Sequence, residues 1–225
     1  MATVIGKTSR SSEAMLITSL MAGYSMVYMD KSMISTAIIP IASEFHFNSG
    51  QTGLMMSMFF LGYSLMQIPS GWLADRFGSK RVLMTSLLII ASFSFLFGVA
   101  NGLLFFIFVR FCAGLGHGGY PPSCSKAIAE NFPKERRTFV QSLILSTSGI
   151  GGILAFTLGA RLVDSNWHYA YFAMGTLFLV ACLFVWRFVP KGQQANSQQD
   201  EQSEKPSFFA MLKNHNILVL FVAML

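Results

Sequence analysis

The sequence predicts an all-α integral membrane protein, and three observations predict it. Of 225 residues, 53% are hydrophobic and only 12% charged, about half the charge of an ordinary soluble domain. Two stretches, 51–74 and 138–160, carry no charge at all, and each exceeds the roughly 20 residues that cross a hydrocarbon core as a helix. The remaining charges fall between apolar runs. A spanning helix satisfies its own backbone N–H and C=O groups, which lipid cannot do. A lipid-facing barrel needs alternating polar and apolar residues, and runs such as Leu87-Leu88-Ile89-Ile90 do not alternate.

Apolar runs broken by charges and turn residues divide the chain into six expected spans: 14–39, 51–74, 82–100, 103–125, 138–161 and 169–188. Residues 1–13 read as a cytoplasmic tail. Lys7 and Arg10 precede the first run without a clear cleavage pattern, so that run is expected to remain as an uncleaved helix. Residues 190–213, rich in Gln, Ser, Asn and charged groups, read as a cytoplasmic linker with too little apolar surface to fold alone. Residues 214–225 start another apolar run that stops short of a span, as though the chain were truncated within a seventh helix.

Counting sides alternately, the cations of 7–10, 76–81, 126–137 and 187–213 share one side, and only Arg161 lies on the other. The positive-inside rule therefore puts the N-terminus and the linker in the cytoplasm. The 16 Lys and Arg against 10 Asp and Glu serve orientation in this reading, and no nucleic acid partner is expected because no basic face gathers them. Cys112, Cys124 and Cys182 lie in or beside apolar segments at irregular spacing, which makes neither a disulfide framework nor a metal site. No nucleophile–base pairing or phosphate loop stands out, so no enzyme and no cofactor are expected.

Ionisable residues inside a span are costly unless they face a partner or water, and they mark function by default. Asp30 and Lys31 interrupt the first span; Arg110 and His117 interrupt the fourth. Arg110, Gly114 and His117 are spaced i, i+4, i+7, one face of a regular helix, and Tyr28 and Lys31 are spaced i, i+3. Arg110 and Lys31 suit an anionic substrate, the guanidinium through paired hydrogen bonds to a carboxylate. Asp30, expected beside Lys31 and Arg110, suits a proton carrier, since burial and neighbouring cations act on a carboxyl in opposite senses. The plainer alternative is a buried structural ion network of the three; for His117 it is a hydrogen bond to a neighbouring helix. The glycines at 114, 116, 118 and 119, followed by Pro121-Pro122, favour close helix packing over a hinge.

Between the second and third spans runs Gly71-Trp72-Leu73-Ala74-Asp75-Arg76-Phe77-Gly78-Ser79-Lys80-Arg81, a short basic loop in which Gly78 permits a tight bend. The order G-x-L-A-D-R-x-G-x-K-R resembles the signature loop of the major facilitator superfamily. That resemblance implies a gating loop of Gly71, Asp75, Arg76, Gly78, Lys80 and Arg81, in which Asp75 meets a helix N-terminus of the opposite half. Ser79 stands where a basic residue is common.

A finer resemblance lies in Tyr28-Met29-Asp30-Lys31-Ser32, in Arg110 to Gly118 and in Asn131-Phe132-Pro133 ahead of a basic cluster. These look like the anion:cation symporters, carriers of organic and sugar acids, often with protons. The resemblance implies substrate-binding roles for Tyr28, Lys31, Tyr63 and Arg110, and proton coupling by Asp30 and His117. Lys31 holds a position usually Arg, and His117 one often Glu. It also implies a six-helix N-terminal half built of 3+3 inverted repeats, with the first and fourth helices lining the cavity. The expected function is proton-coupled symport of an organic anion across a bacterial inner membrane. Its partners are membrane lipid and a C-terminal six-helix half, or a second copy. A drug:proton antiporter is the alternative within the fold, disfavoured because Ser148-Gly149-Ile150-Gly151-Gly152 lacks the proline of that class. A nontransporting six-helix fragment is the alternative outside it.

Overall fold

The computed structural model describes residues 10–190. Most of the expected tail and linker, and the expected start of a seventh helix, lie outside the described residues. Within them the chain is helical and without strands: α1 (Arg10–Glu44), α2 (Ser49–Phe77), α3 (Ser79–Gly98), α4 (Leu103–Asn131), α5 (Lys134–Leu154), a π turn (Ala155–Gly159) and α6 (Ala160–Phe188). Among the described residues, three stretches are both long and apolar enough to cross a membrane: Ser79–Gly98, Leu103–Asn131 and the continuous Lys134–Phe188.

The helices run past the apolar runs at their polar ends, because Ser, Gln, Lys and Arg cap or extend a helix as readily as they end a hydrophobic segment. Asn48 opens α2 with a reciprocal capping box. Its Oδ1 accepts from the Gln51 backbone N–H at 2.9 Å while Gln51 Oε1 accepts from the Asn48 N–H at 2.9 Å. The expected loop 71–81 needs correction. Seven of its residues finish α2, three begin α3, and Gly78 alone lies between them. At φ 87° and ψ 145°, Gly78 occupies a region nearly closed to residues with a Cβ.

The expected connection at 163–168 is likewise compressed to one residue. A straight 55-residue helix would extend about 80 Å, yet α5 and α6 both pack on α1, so the stretch folds back. It breaks at Asn166, whose backbone is extended (φ −170°, ψ 115°). The Asn166 Oδ1 accepts the His168 N–H at 2.9 Å, as an N-cap does for a helix starting afresh. The corner is pinned on both sides. Trp167 Nε1 donates to Glu44 Oε2 at the end of α1 at 2.7 Å, and His168 Nδ1 donates to the Gly98 carbonyl at the end of α3 at 2.6 Å.

α4 packs on α2 and α3, α1 packs on α5 and α6, and α3 packs on α6. Exchanging α1 with α4, α2 with α5 and α3 with α6 leaves this pattern unchanged, the relation a 3+3 repeat requires. Backbone contact makes the α2–α4 crossing tight. A Cβ at Gly62 would collide with the Phe111 carbonyl, one at Gly114 with Phe59 and one at Gly118 with Tyr63, while Gly116 and Gly119 face Ile90 and Ser86 of α3. The glycines of α4 thus serve two helix contacts at once. Pro122 removes the hydrogen bond that the Gly118 carbonyl would accept within α4, and Ser70 Oγ of α2 reaches that oxygen at 3.5 Å.

Candidate functional site

Adjacent side chains on a helix diverge by about 100°, and this separates Asp30 from Lys31. Asp30 points into the bundle and is 2% exposed. There it meets His117, which is fully buried; Nε2 lies 3.2 Å from Asp30 Oδ2. His117 Nδ1 lies 2.9 Å from the Ala113 carbonyl one turn back. A carbonyl only accepts, so the hydrogen-bond network assigns the proton to Nδ1. Nε2 is then left facing a carboxyl oxygen. An imidazole lone pair and a carboxylate repel at this distance, so the pair is cohesive when it holds one further proton, on Nε2 or on Oδ2. The separation is that of an ion pair, short of an aligned hydrogen bond, and Asp30 Oδ1 has no hydrogen-bond partner although buried.

Arg110 lies about two turns away on the same face of α4, as the spacing predicts, and is 3% exposed. Its Nη2 donates to the Tyr171 hydroxyl of α6 at 2.6 Å. The guanidinium sits 4.4 Å from the Phe97 ring centre and 5.7 Å from those of Phe59 and Tyr171. Its Nε is buried without a partner. Arg110 acts electrostatically on Asp30, but among the described residues no direct ion pair joins them. The expected three-way contact of Asp30, Lys31 and Arg110 therefore takes another form: Asp30 pairs with His117, Arg110 with Tyr171, and Lys31 stands apart.

Lys31 is half-buried, with its Nζ 4.4 Å from the Tyr63 ring centre, 5.3 Å from Phe60 and 5.5 Å from Tyr28. Tyr28 stacks on Tyr24 at 5.0 Å. The structure thus brings Tyr28, Lys31 and Tyr63 together on one wall and encloses Arg110, Asp30 and His117 behind it. Phe59 links the two groups, stacked on Tyr63 and edge-on to His117 at 5.0 Å.

At one end of the bundle, Asp75 pairs with Lys126 of α4 at 2.6 Å. Arg76 lies over Trp72 and Phe77, and Lys80 Nζ donates to the Trp186 carbonyl at 2.6 Å. Ser79 donates to Glu130. Arg81 is exposed, and at Gly71 a Cβ would touch nothing within 4 Å.

Sequence reasoning missed Tyr171, Phe97 and Phe60. A tyrosine within the apolar run 169–188 is a weak signal: one polar atom that needs a partner when buried. The two phenylalanines give no signal apart from the cations they face.

The sequence profile of the Major Facilitator Superfamily matches residues 20–225. A probable sulfoacetate transporter of Cupriavidus necator is 33% identical over 157 residues, 69% of this chain and 36% of that protein. The cis,cis-muconate transport protein of Acinetobacter baylyi is 28% identical over 202 residues, 85% of this chain and 49% of its own. The chain thus spans half or less of the length of these relatives. Among solved structures, a bacterial homolog of the human lysosomal transporter Spinster, inward-facing and occupied, superposes with a TM-score of 0.77 at 19% identity, over 85% of this chain and 47% of that one. That likeness shows the fold. With its profile matched along nearly the whole sequence and its helices arranged as in that fold, the chain belongs to the Major Facilitator Superfamily of membrane transporters.

Proposed function

We propose that this chain supplies the N-terminal six-helix half of a secondary transporter that carries an organic carboxylate in symport with a proton. The six helices, α6 counted from the Asn166 break, each cross the bilayer. The end carrying Asp75, Lys80 and Arg81 faces the cytoplasm of a bacterial cell, and the end carrying Glu44 and His168 faces outward. A second six-helix unit completes the cavity, and residues 190–213 link the two.

One observation carries the coupling. Asp30 and His117 lie 3.2 Å apart with His117 Nδ1 already committed to Ala113, so the pair needs one shared proton, and Asp30 adjoins Lys31 in α1. Lys31 neutralises the anion, Asp30 and His117 take up and release the proton, and Arg110 holds the buried charge in balance. The relatives named for sulfoacetate and muconate support an anionic cargo. Asp75 and its neighbours act as the latch between the two units.

Asp30→Asn tests this reading. The amide cannot release the proton, yet it still donates to His117 Nε2, so pH-driven uptake of carboxylate into vesicles is expected to stop while exchange of internal for external anion continues. Accumulation at the wild-type level from Asp30→Asn would refute proton coupling through this pair.

A further inference from the structure

We infer that the anion taken at Lys31 has a flat, carbon-rich body, an aromatic or conjugated carboxylate in preference to a polyhydroxylated acid; this rests on the carrier reading above. The Lys31 ammonium faces three ring surfaces, Tyr63 at 4.4 Å, Phe60 at 5.3 Å and Tyr28 at 5.5 Å. Among the described residues it has no carboxylate partner. Rings offer a cation only a quadrupole, and a strongly hydrated ammonium gains more from a carboxylate. A bound carboxylate is therefore the natural counter-charge.

The rest of such a ligand lies against whatever surrounds the ammonium, and that is ring face. Tyr24 donates its hydroxyl to that of Tyr28 at 3.5 Å. Tyr28 stacks on Tyr24 and Tyr63 on Phe59, so the rings around the ammonium form one continuous aromatic surface. Phe60, 49% exposed, adds a face with no polar atom at all. A hydroxyl brought against these faces leaves water without gaining a partner, whereas a planar π-system stacks. Arg110 is 3% exposed and enclosed by Phe97, Phe59 and Tyr171, so Lys31 is the more accessible of the two cations. One carboxylate is held at this wall, and the body of the molecule is selected by Phe60, Tyr63 and Tyr28.

Benzoate and gluconate, each with one carboxylate, separate the possibilities. Binding of the two labelled anions to the transporter that joins this chain to its second six-helix unit, purified into lipid nanodiscs, is measured at equilibrium, with thermal melting as a check on folding. Benzoate is expected to bind at least about tenfold tighter than gluconate. Phe60→Ala is expected to weaken benzoate severalfold and leave gluconate unchanged, Phe60→Tyr to retain benzoate, and Lys31→Gln to remove binding of both. Gluconate binding as tight as benzoate, or equal losses of the two in Phe60→Ala, overturns the substrate class and leaves the anion reading intact. Binding of neither anion in a Lys31-dependent way overturns both.

Discussion

His117 is held from behind by its own helix and from the front by another: Nδ1 lies 2.9 Å from the Ala113 carbonyl of α4, and Nε2 lies 3.2 Å from Asp30 Oδ2 of α1. The first contact settles the tautomer and so dictates the second. With Nδ1 bearing hydrogen, Nε2 meets the carboxyl as an acceptor until a proton arrives. An Asp–His pair in which the imidazole is anchored this way exchanges one proton without turning the ring, which suits a buried carrier that must load and unload in a narrow space.

Nitrogen-15 NMR of histidine-labelled protein checks the anchor directly, with His117→Gln assigning the signals. The Nδ1 of His117 is expected to give the signal of a hydrogen-bearing nitrogen, as the Ala113 carbonyl 2.9 Å away requires. In Asp30→Asn the Nε2 is expected to give the signal of an acceptor nitrogen, since the amide donates to it. A spectrum with Nδ1 unprotonated would contradict the geometry.

The charges of this site were readable from sequence because lipid makes each of them expensive, so Asp30, Lys31, Arg110 and His117 stand out in runs of Leu, Phe and Met. Their pairing was not readable. It depends on how α1 and α2 pack around α4, and glycines at 62, 114 and 118 set the α2–α4 approach through backbone contact; the sequence shows glycines without showing what they touch. Tyr171 carries the same lesson. Its hydroxyl becomes the partner of Arg110 only because α6 restarts at Asn166 and turns that face inward. Polar residues at 71–81 suggested a loop because hydropathy falls there, but Asp, Arg and Lys are tolerated in helices, and only the positive φ of Gly78 breaks the helix.

Two alanine substitutions separate packing glycines from spacious ones. Gly114→Ala sets a methyl into the Phe59 carbonyl, where backbone on both sides prevents relief, while Gly71→Ala adds a methyl with nothing within 4 Å. Gly114→Ala is expected to lose about 1–3 kcal/mol of stability, the scale of overpacking a rigid contact, and to spoil the placement of Tyr63 and His117. Gly71→Ala is expected to melt within about 0.5 kcal/mol of wild type. If Gly71→Ala nevertheless slows uptake, that glycine serves the gate and not the fold.

Gly78→Ala isolates the turn between α2 and α3. Its φ of 87° and ψ of 145° impose a penalty on any Cβ of about 1–3 kcal/mol, so the melting temperature is expected to fall. Lys126→Gln, by contrast, removes an ion pair whose side chains are 38% and 63% exposed. It is expected to change stability by less than about 1 kcal/mol. A large loss of uptake in Lys126→Gln with unchanged melting would assign the Asp75–Lys126 pair to gating.

Arg110 and Tyr171 are best examined as a pair. Tyr171→Phe removes the acceptor of the 2.6 Å bond from Nη2 and leaves a buried guanidinium with ring faces alone around it, those of Phe97, Phe59 and the substituted phenyl group. A hydrogen bond to a charged group contributes about 1.5–3 kcal/mol, and a loss of that order is the expected outcome. Arg110→Lys is expected to destabilise as well, because an ammonium cannot lie flat on Phe97 and reach the Tyr171 oxygen together. The double variant Arg110→Met with Tyr171→Phe is expected to be milder than the sum of its two single changes, since neither polar group is then left alone in the interior. Strict additivity would mean that ring faces hold Arg110 by themselves, with the phenol a bystander.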